Sequence, residues 1–496
     1  MGWGFRPWRG GGLITYAEDV MRGQVRAGHE VAWFCAARDF PGLRRPRLVR
    51  WRRGGVEIHE VLNSPVLVAA DTGTRDPEGG LSDPRLERMF GRVLARTRPE
   101  VVHVHELAAL PSSLLDVVRR AGIPTVMTLQ DYGLLCPTIK LFDADGARCR
   151  RMRPGTMCRT CCAQAPVDAH EARGMTRNYE RRRLARRLPL VLAALDTRRA
   201  VKRGIAARRP GAADGTGGGG AHGEVETASA FPSPPPAAAY DHRREVNVAR
   251  LERVDALVAM SEGVAEIYAE LGVGRDRLRV LHLTLEHLQH LVPRRLEAAP
   301  RRVRFMTLSG AIDRAKGAEA LAEAVAGLAA RGLGASYELT VHGPVHPSVR
   351  GELERHPAVA LRGPYDARSL DAMLDEADVG IVPSVWDEAY GYVGVEFLAK
   401  GVPVIGTARG GIPAYAIPGE TGWLNRSATG AELAGIMADV IRRPQQVLEL
   451  NERVLERRGA LVKPMSRHLA ELEAMYRSLV AAPRPVGAAA GARSGA

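Results

Sequence analysis

Short apolar runs recur along the chain, each bounded by Gly, Pro or Asp: VEIHEVL, VVHVHEL and PTVMTLQD in the first half, VRFMTLSG, YELTVHG and VGIVPS in the second. Their length and their content of Val, Ile and Leu predict strands. Between them, PRLERMFGRVLARTRP, PSSLLDVVRRAGI and AIDRAKGAEALAEAVAGL repeat apolar residues three and four apart, which predicts helices with one buried face. Strands alternating with helices point to parallel sheets covered on both sides. The alternation runs twice, with a break near Leu291 to Arg301, so the chain reads as two α/β units. Its 496 residues are enough for two or three full cores.

The first unit begins irregularly. GGG, LITYAEDVMRGQVRAG and HEVAWFCA read as a glycine turn, a helix and a strand, but MGWGFRPWR ahead of them is loop-like. In a doubly wound sheet the strand before that turn is central, so the expectation is that the first strand is missing and that the true start lies about ten residues upstream of Met1.

Two stretches depart from the alternation. Residues 168–210 are helical and rich in arginine, with an apolar centre, which suits either a helix lying on an anionic membrane or a helical hairpin packed on the first unit. Residues 211–239 are low-complexity Gly, Pro and Ala and are expected to be disordered, as is the tail from 483 to 496. Net charge is +14, concentrated in the span 171–210. It permits attraction to anionic lipid, a polyanionic substrate or nucleic acid, and solvated helix faces account for it equally well. No nucleic-acid motif and few interleaved aromatics accompany it, so no nucleic-acid partner is expected. No run of eighteen apolar residues and no export signal are present, and the expected location is the cytoplasm, with the basic stretch allowing peripheral contact at the inner face of the membrane.

Candidate chemistry concentrates in PSVWDEAYGYVGVEFLAKGVPVIGTARGG, residues 383–411. Glu388 falls in a loop after an apolar strand, beside the backbone amides of Tyr390, Gly391, Tyr392 and Val393. Glu396 falls in the first turn of a helix expected to open at Val393. Exposed amides at a helix start hold anions, and open α/β sheets bind ligands at such strand ends. His103 and His105 alternate on VVHVHEL and share one face, with His105 and Glu106 at the strand end. Neither histidine has a clear third ligand nearby, so a buried or cleft-lining histidine is expected rather than a metal ligand. Cys136, Cys149, Cys158, Cys161 and Cys162 crowd together in a long chain that does not resemble a secreted disulfide scaffold. Four thiolates satisfy a tetrahedral zinc, and Cys136, Cys149, Cys158 and Cys161 are the candidate ligands of a structural site; free buried thiols or a redox pair are the alternatives.

The string E-x7-E, preceded by PS and followed by GVPVI, resembles the donor site of the family 4 retaining glycosyltransferases of the GT-B fold. The resemblance extends over roughly residues 10–135 and 245–480. It implies two Rossmann-like doubly wound domains facing across a cleft: an acceptor-side domain over 1–290 carrying the cysteine-bearing and basic insertion 136–210, as in a cysteine-containing subset of the family, a nucleotide-sugar domain over 300–465, and a crossover helix at 466–482. It further implies transfer of a sugar from a nucleoside diphosphate sugar to a hydroxyl acceptor, lipid-linked or polysaccharide, in cell-surface polysaccharide or glycolipid synthesis, with no metal required for catalysis. By the same resemblance Glu388 lies against the transferred sugar and Glu396 takes the ribose hydroxyls. Gly11 and Gly12 approach the donor phosphates with Lys316, and His105, Gln130 and Asp131 lie on the acceptor side. The chain departs from the family pattern at three positions: Gln130 replaces a histidine and cannot act as a base, Ala311 replaces a phosphate-binding arginine whose place Arg314 is expected to take, and Ala414 replaces a glutamate. An epimerase of the same architecture, or a non-catalytic nucleotide-sugar or nucleic-acid binding protein, is the alternative.

Overall fold

The structure, a computed structural model, describes residues 1–36, 38–40, 45–67, 72–185, 234–365 and 368–482. Strands β1 Ala32–Cys35, β2 Arg47–Arg53 and β3 Val56–Leu62 form one small sheet, and β4 Val102–Val104, β5 Thr125–Leu129, β6 Ala256–Ala259 and β7 Leu278–Val280 form a parallel sheet in that order. Met1 and Gly2 join the two. Gly2 pairs in parallel with Cys35, its amide donating to Phe34 O at 3.1 Å, while Met1 O accepts from the His105 amide at 2.9 Å. The central slot expected to be empty is therefore held by two residues, and the chain leaves it as the loop from Trp3 onward. A dipeptide that pairs through its backbone needs no apolar period, so the pattern of apolar positions carries no sign of it. Strand β2, RLVRWRR, also went unpredicted: it pairs antiparallel to β3 at the sheet edge, and four of its seven residues are arginines.

Strands β8 Val303–Thr307, β9 Tyr337–His342, β10 Val359–Gly363, β11 Val379–Val382, β12 Val404–Thr407 and β13 Gly422–Asn425 build a second, six-stranded parallel sheet in the order β10-β9-β8-β11-β12-β13. Every residue of β11 and β12 is buried, as expected of central strands covered on both faces. One covering layer is the pair of helices Ala318–Ala330 and Gly430–Arg442, which interlock Leu321, Val325 and Leu328 with Leu433, Ala434 and Met437. The order reversal between β8 and β11 opens the crevice in which the loop after β11 lies.

The last described helix, Met465–Ala481, returns to the first sheet. Its Met475, Tyr476 and Leu479 pack on Val126, Ala256 and Val258, and its His468 and Tyr476 bond to Tyr16 and His103 at 2.8 and 2.7 Å. The basic helix Ala169–Ala185 also lies on the first unit: Arg9 Nη2 donates to Glu180 at 2.8 Å, and Arg173 and Arg177 both reach Asp39. These arginines face protein carboxylates, which fits the packed alternative for this stretch; residues 186–210 lie outside the described residues. The span expected to be disordered is shorter than 211–239, because a helix starts at Ala237, with Tyr240 buried against Cys158, Cys162 and Ala165. That contact orders the end of the Pro-Ala stretch; residues 211–233 and the tail from 483 lie outside the described residues. Among the described residues no helix is long and apolar enough to cross a membrane.

Candidate active site

The loop after β11 presents Glu388 with its carboxylate already engaged. Its Oε1 accepts from Lys316 Nζ at 2.6 Å and from Ser384 Oγ at 2.7 Å, and Lys316 Nζ stands 5.2 Å from the centre of the Trp386 ring. Lys316 is aimed by a turn in which its own amide donates to Asp313 Oδ1 at 2.8 Å. The loop backbone is held as well: Gly411 N donates to Glu388 O at 2.7 Å. The neighbouring Asp387 takes Gly410 N and, across the cleft, Arg150 Nη2 at 2.6 Å.

The chain then turns through Gly391, in a left-handed conformation at φ 78°, into the helix Tyr392–Lys400. This start lies one residue before the expected Val393, so Glu396 is the fifth helical residue and belongs to the second turn, not the first. A glycine that accepts the left-handed geometry lets the helix begin at Tyr392. The Tyr390 side chain is buried against Tyr392 and Tyr415, with ring centres 5.6 and 5.9 Å away, so its ring serves packing. The amides at the helix start, Tyr392 and Val393 among them, lie ahead of any intrahelical acceptor. Glu396 Oε1 lies 2.8 Å from His287 Nε2, while Oε2 is buried without a hydrogen-bond partner. An unsatisfied buried oxygen costs about 1–3 kcal/mol, a cost that a ligand hydroxyl donating to it would remove. Tyr365 stands close by, its phenol pushed up by burial and then by the charge of Glu396, and its ring centre lies 5.9 Å from that of His342.

The first unit meets this loop through its glycine turn. A Cβ on Gly12 would lie 2.6 Å from the Tyr392 ring, so only glycine allows the two helix starts, Gly12–Arg26 and Tyr392–Lys400, to approach this closely. Gly11, at φ 103°, faces open space.

His105, Gln130 and Asp131 come together at the ends of β4 and β5, lining with Glu106, Arg243 and Tyr268 a cavity of about 100 Å³. His105 is stacked on His103 at 4.2 Å, and burial, with the neighbouring His103 adding to it, holds its imidazole well below the ordinary range. Burial also raises the carboxyl groups of Glu106, further raised by Asp131, and of Asp131. Gln130 Nε2 lies 3.4 Å from His105 Nδ1 and its Oε1 is buried without a partner. Between Asp131 and Gly133 of this cavity, the Tyr132 ring meets Trp386 of the loop after β11 edge-on at 6.4 Å.

Arg314, on the turn that also carries Lys316, pairs with Glu319 at 3.2 Å and reaches Asp145 O at 3.4 Å. Cys136, Cys149, Cys158 and Cys161 are not gathered as a metal set. Among the described residues no three His, Cys, Asp or Glu side chains are placed to hold a metal, and all six cysteines are unpaired. On the helix Gly155–Cys161 it is Cys158 that faces inward with Cys162, one turn on, while Cys161 is partly exposed. Sequence reasoning missed His287, in the short 3-10 helix Glu286–His290, and the cross-cleft partner Arg150, since pairing across domains leaves no local signal.

The model of the glycosyl transferases group 1 domain matches residues 303–443, and that of the glycosyl transferase 4-like domain matches 11–159; together they cover more than half of the chain. A protein of Escherichia coli named for colanic acid biosynthesis, the glycosyltransferase WcaL, is 25% identical over 226 residues, 41% of this chain and 55% of the relative. The chain thus spans about half the length of that relative. Among solved structures, sucrose-phosphate synthase from Thermosynechococcus elongatus superposes with a TM-score of 0.57 at 18% identity, covering 97% of this chain and 96% of its own. Anabaena HepE in complex with UDP-glucose gives 0.55 at 12% identity, over 96% of this chain and 100% of its own. At these identities the likeness is one of fold.

Proposed function

The chain belongs to the family 4 glycosyltransferases of the GT-B fold, and from that premise we propose that it moves a sugar, with retention, from a nucleoside diphosphate sugar to a hydroxyl of a polysaccharide or lipid-linked acceptor. The observation that carries this reading is the pair of glutamates around one helix start: Glu388 bound to Lys316 at 2.6 Å, and Glu396 with a buried Oε2 free to accept. HepE, of the same fold, was solved with UDP-glucose, which supports a donor of this chemical class.

In the reaction the bond from the anomeric carbon to the diphosphate oxygen breaks and a bond to the acceptor oxygen forms on the same face. The acceptor proton passes to the leaving phosphate oxygen, so no side-chain base is needed, in keeping with Gln130 at the position of the family's histidine. Charge grows on the leaving diphosphate, where Lys316 and the amides of Gly11, Tyr392 and Val393 stabilise it, and positive charge grows at the anomeric carbon, where Glu388 stabilises it. Glu396 Oε2 accepts a ribose hydroxyl. The acceptor enters from the first unit, by way of the cavity at His105, Gln130 and Asp131. The test is a thermal-shift screen of nucleoside diphosphates and their sugars, followed by product analysis with the sugar that shifts the melting temperature most. A glycosylated acceptor is expected; an epimerised donor would replace the proposal with the epimerase reading, and no shift by any of them would overturn it.

A further inference from the structure

A donor diphosphate brings concentrated negative charge into this cleft, yet the two cations on the turn before the helix Ala318–Ala330 are each already paired with a carboxylate. Lys316 is paired with Glu388 at 2.6 Å and Arg314 with Glu319 at 3.2 Å, and Ala311 contributes none. On the opposite wall a different cation stands uncompensated. Arg183, near the end of the helix Ala169–Ala185, donates through Nε to Pro7 O at 3.2 Å, and its guanidinium lies so close over Gly10 that a Cβ there would collide with it. Gly10 begins the glycine turn whose Gly12 touches Tyr392 at the start of the facing helix. Glu180, one helical turn before Arg183, is occupied by Arg9 at 2.8 Å, and among the described residues no carboxylate pairs with Arg183.

We infer that Arg183 is a donor-binding residue: its two Nη groups reach the diphosphate from the first unit's side of the glycine turn, a role that rests on the donor reading above. Several contacts preorganise it. Nε is fixed on Pro7 O, which leaves Nη1 and Nη2 as a fork suited to two phosphate oxygens. The helix that carries it is clamped to the loop by the Arg9 to Glu180 pair and by the stack of Trp3 on Tyr179 at 5.9 Å. The loop from Trp3 to Gly11 leaves the strand slot held by Met1 and Gly2 at its C-terminal end, the side on which doubly wound sheets bind ligands. The basic insertion thus completes the phosphate site with a cation that the second unit does not provide.

The test is calorimetric titration of the full chain with UDP, GDP and ADP, continued with the tightest of them and its parent nucleoside. For Arg183→Ala the dissociation constant of the diphosphate is expected to rise about ten- to a hundredfold while that of the nucleoside stays unchanged, and Arg183→Lys is expected to recover part of the loss. Salt dependence of diphosphate binding should weaken in the alanine variant. Should Arg183→Ala fail to fold, Arg183→Gln, which keeps a donor for Pro7 O, gives the same comparison. Equal diphosphate binding by variant and wild type would overturn the inference alone. An equal loss for nucleoside and diphosphate would also overturn it, since a misplaced helix and not a phosphate contact would be the cause. Wild-type protein that binds none of the three diphosphates would overturn the donor reading and this inference with it.

Discussion

Lys316 and Glu388 lie 72 residues apart in the chain, yet their side chains meet with Nζ 2.6 Å from Oε1. In the proposed reaction the pair holds each charge in place before a donor arrives, and each partner then acts separately, the ammonium at the leaving diphosphate and the carboxylate at the sugar. Neutralising Glu388 removes the carboxylate's part and frees Lys316 for its own. Glu388→Gln is therefore expected to lower kcat by about a hundredfold while donor KM stays level or falls. Steady-state kinetics with the identified donor check this; unchanged kcat would remove Glu388 from the reaction.

Glu396 should fail in the other parameter. The ribose contact proposed for its Oε2 would be made alike in the ground and transition states, so Glu396→Gln is expected to raise donor KM by the equivalent of about 1.5–3 kcal/mol with kcat retained. Because His287 Nε2 stands at 2.8 Å from Oε1, His287→Ala should raise KM in the same direction by letting the carboxylate swing. A fall in kcat without a rise in KM for Glu396→Gln would contradict the ribose role.

Gly12→Ala tests the approach of the two helix starts. The added methyl would sit 2.6 Å from the Tyr392 ring, so the domains must separate by a fraction of an ångström or the ring must turn. Donor KM should rise while the melting temperature changes little, because the collision lies at the cleft and not in either core. Wild-type KM in this variant would show that the closed approach is not needed for binding.

Acid should loosen the crossover helix. Burial pushes His103 and His468 down from 6.5 to about 3; His103 bonds to Tyr476 of this helix, and His468, on the helix itself, bonds to Tyr16. Both are neutral in the folded chain, so the unfolded chain binds more protons between these values. Stability is complete above pH 6.5 and is lost as pH falls toward 3, by up to about 1.4 kcal/mol per pH unit for each histidine. Melting temperatures between pH 7.5 and 5 should fall accordingly, and His468→Gln should flatten the dependence; a pH-independent melting temperature would contradict it.

Cysteine reactivity separates a metal set from free thiols. Cys161 is partly exposed and the other five cysteines are buried, so a thiol reagent should modify Cys161 first in the native protein, slowed by a thiol pKa that burial raises to about 11. Protection of Cys161 that only a chelator releases would instead support the zinc reading.

The two-fold alternation of apolar runs and helical periods was enough to read two doubly wound units, because burial on both faces of a parallel sheet leaves a local mark in every strand, as in VGIVPS. The glutamate pair was legible for the same reason: loop, helix start and strand follow one another within a single stretch. Whatever depends on residues distant in sequence was decided by tertiary structure alone. Met1 and Gly2 fill the central slot by backbone pairing, which no side-chain period records. His287 and Arg150 meet Glu396 and Asp387 from segments distant in sequence, and Arg183 lies over Gly10 of the glycine turn. Sequence pattern reports which face of an element is buried; which charge meets which across a cleft is settled by where two separately folded sheets come to rest.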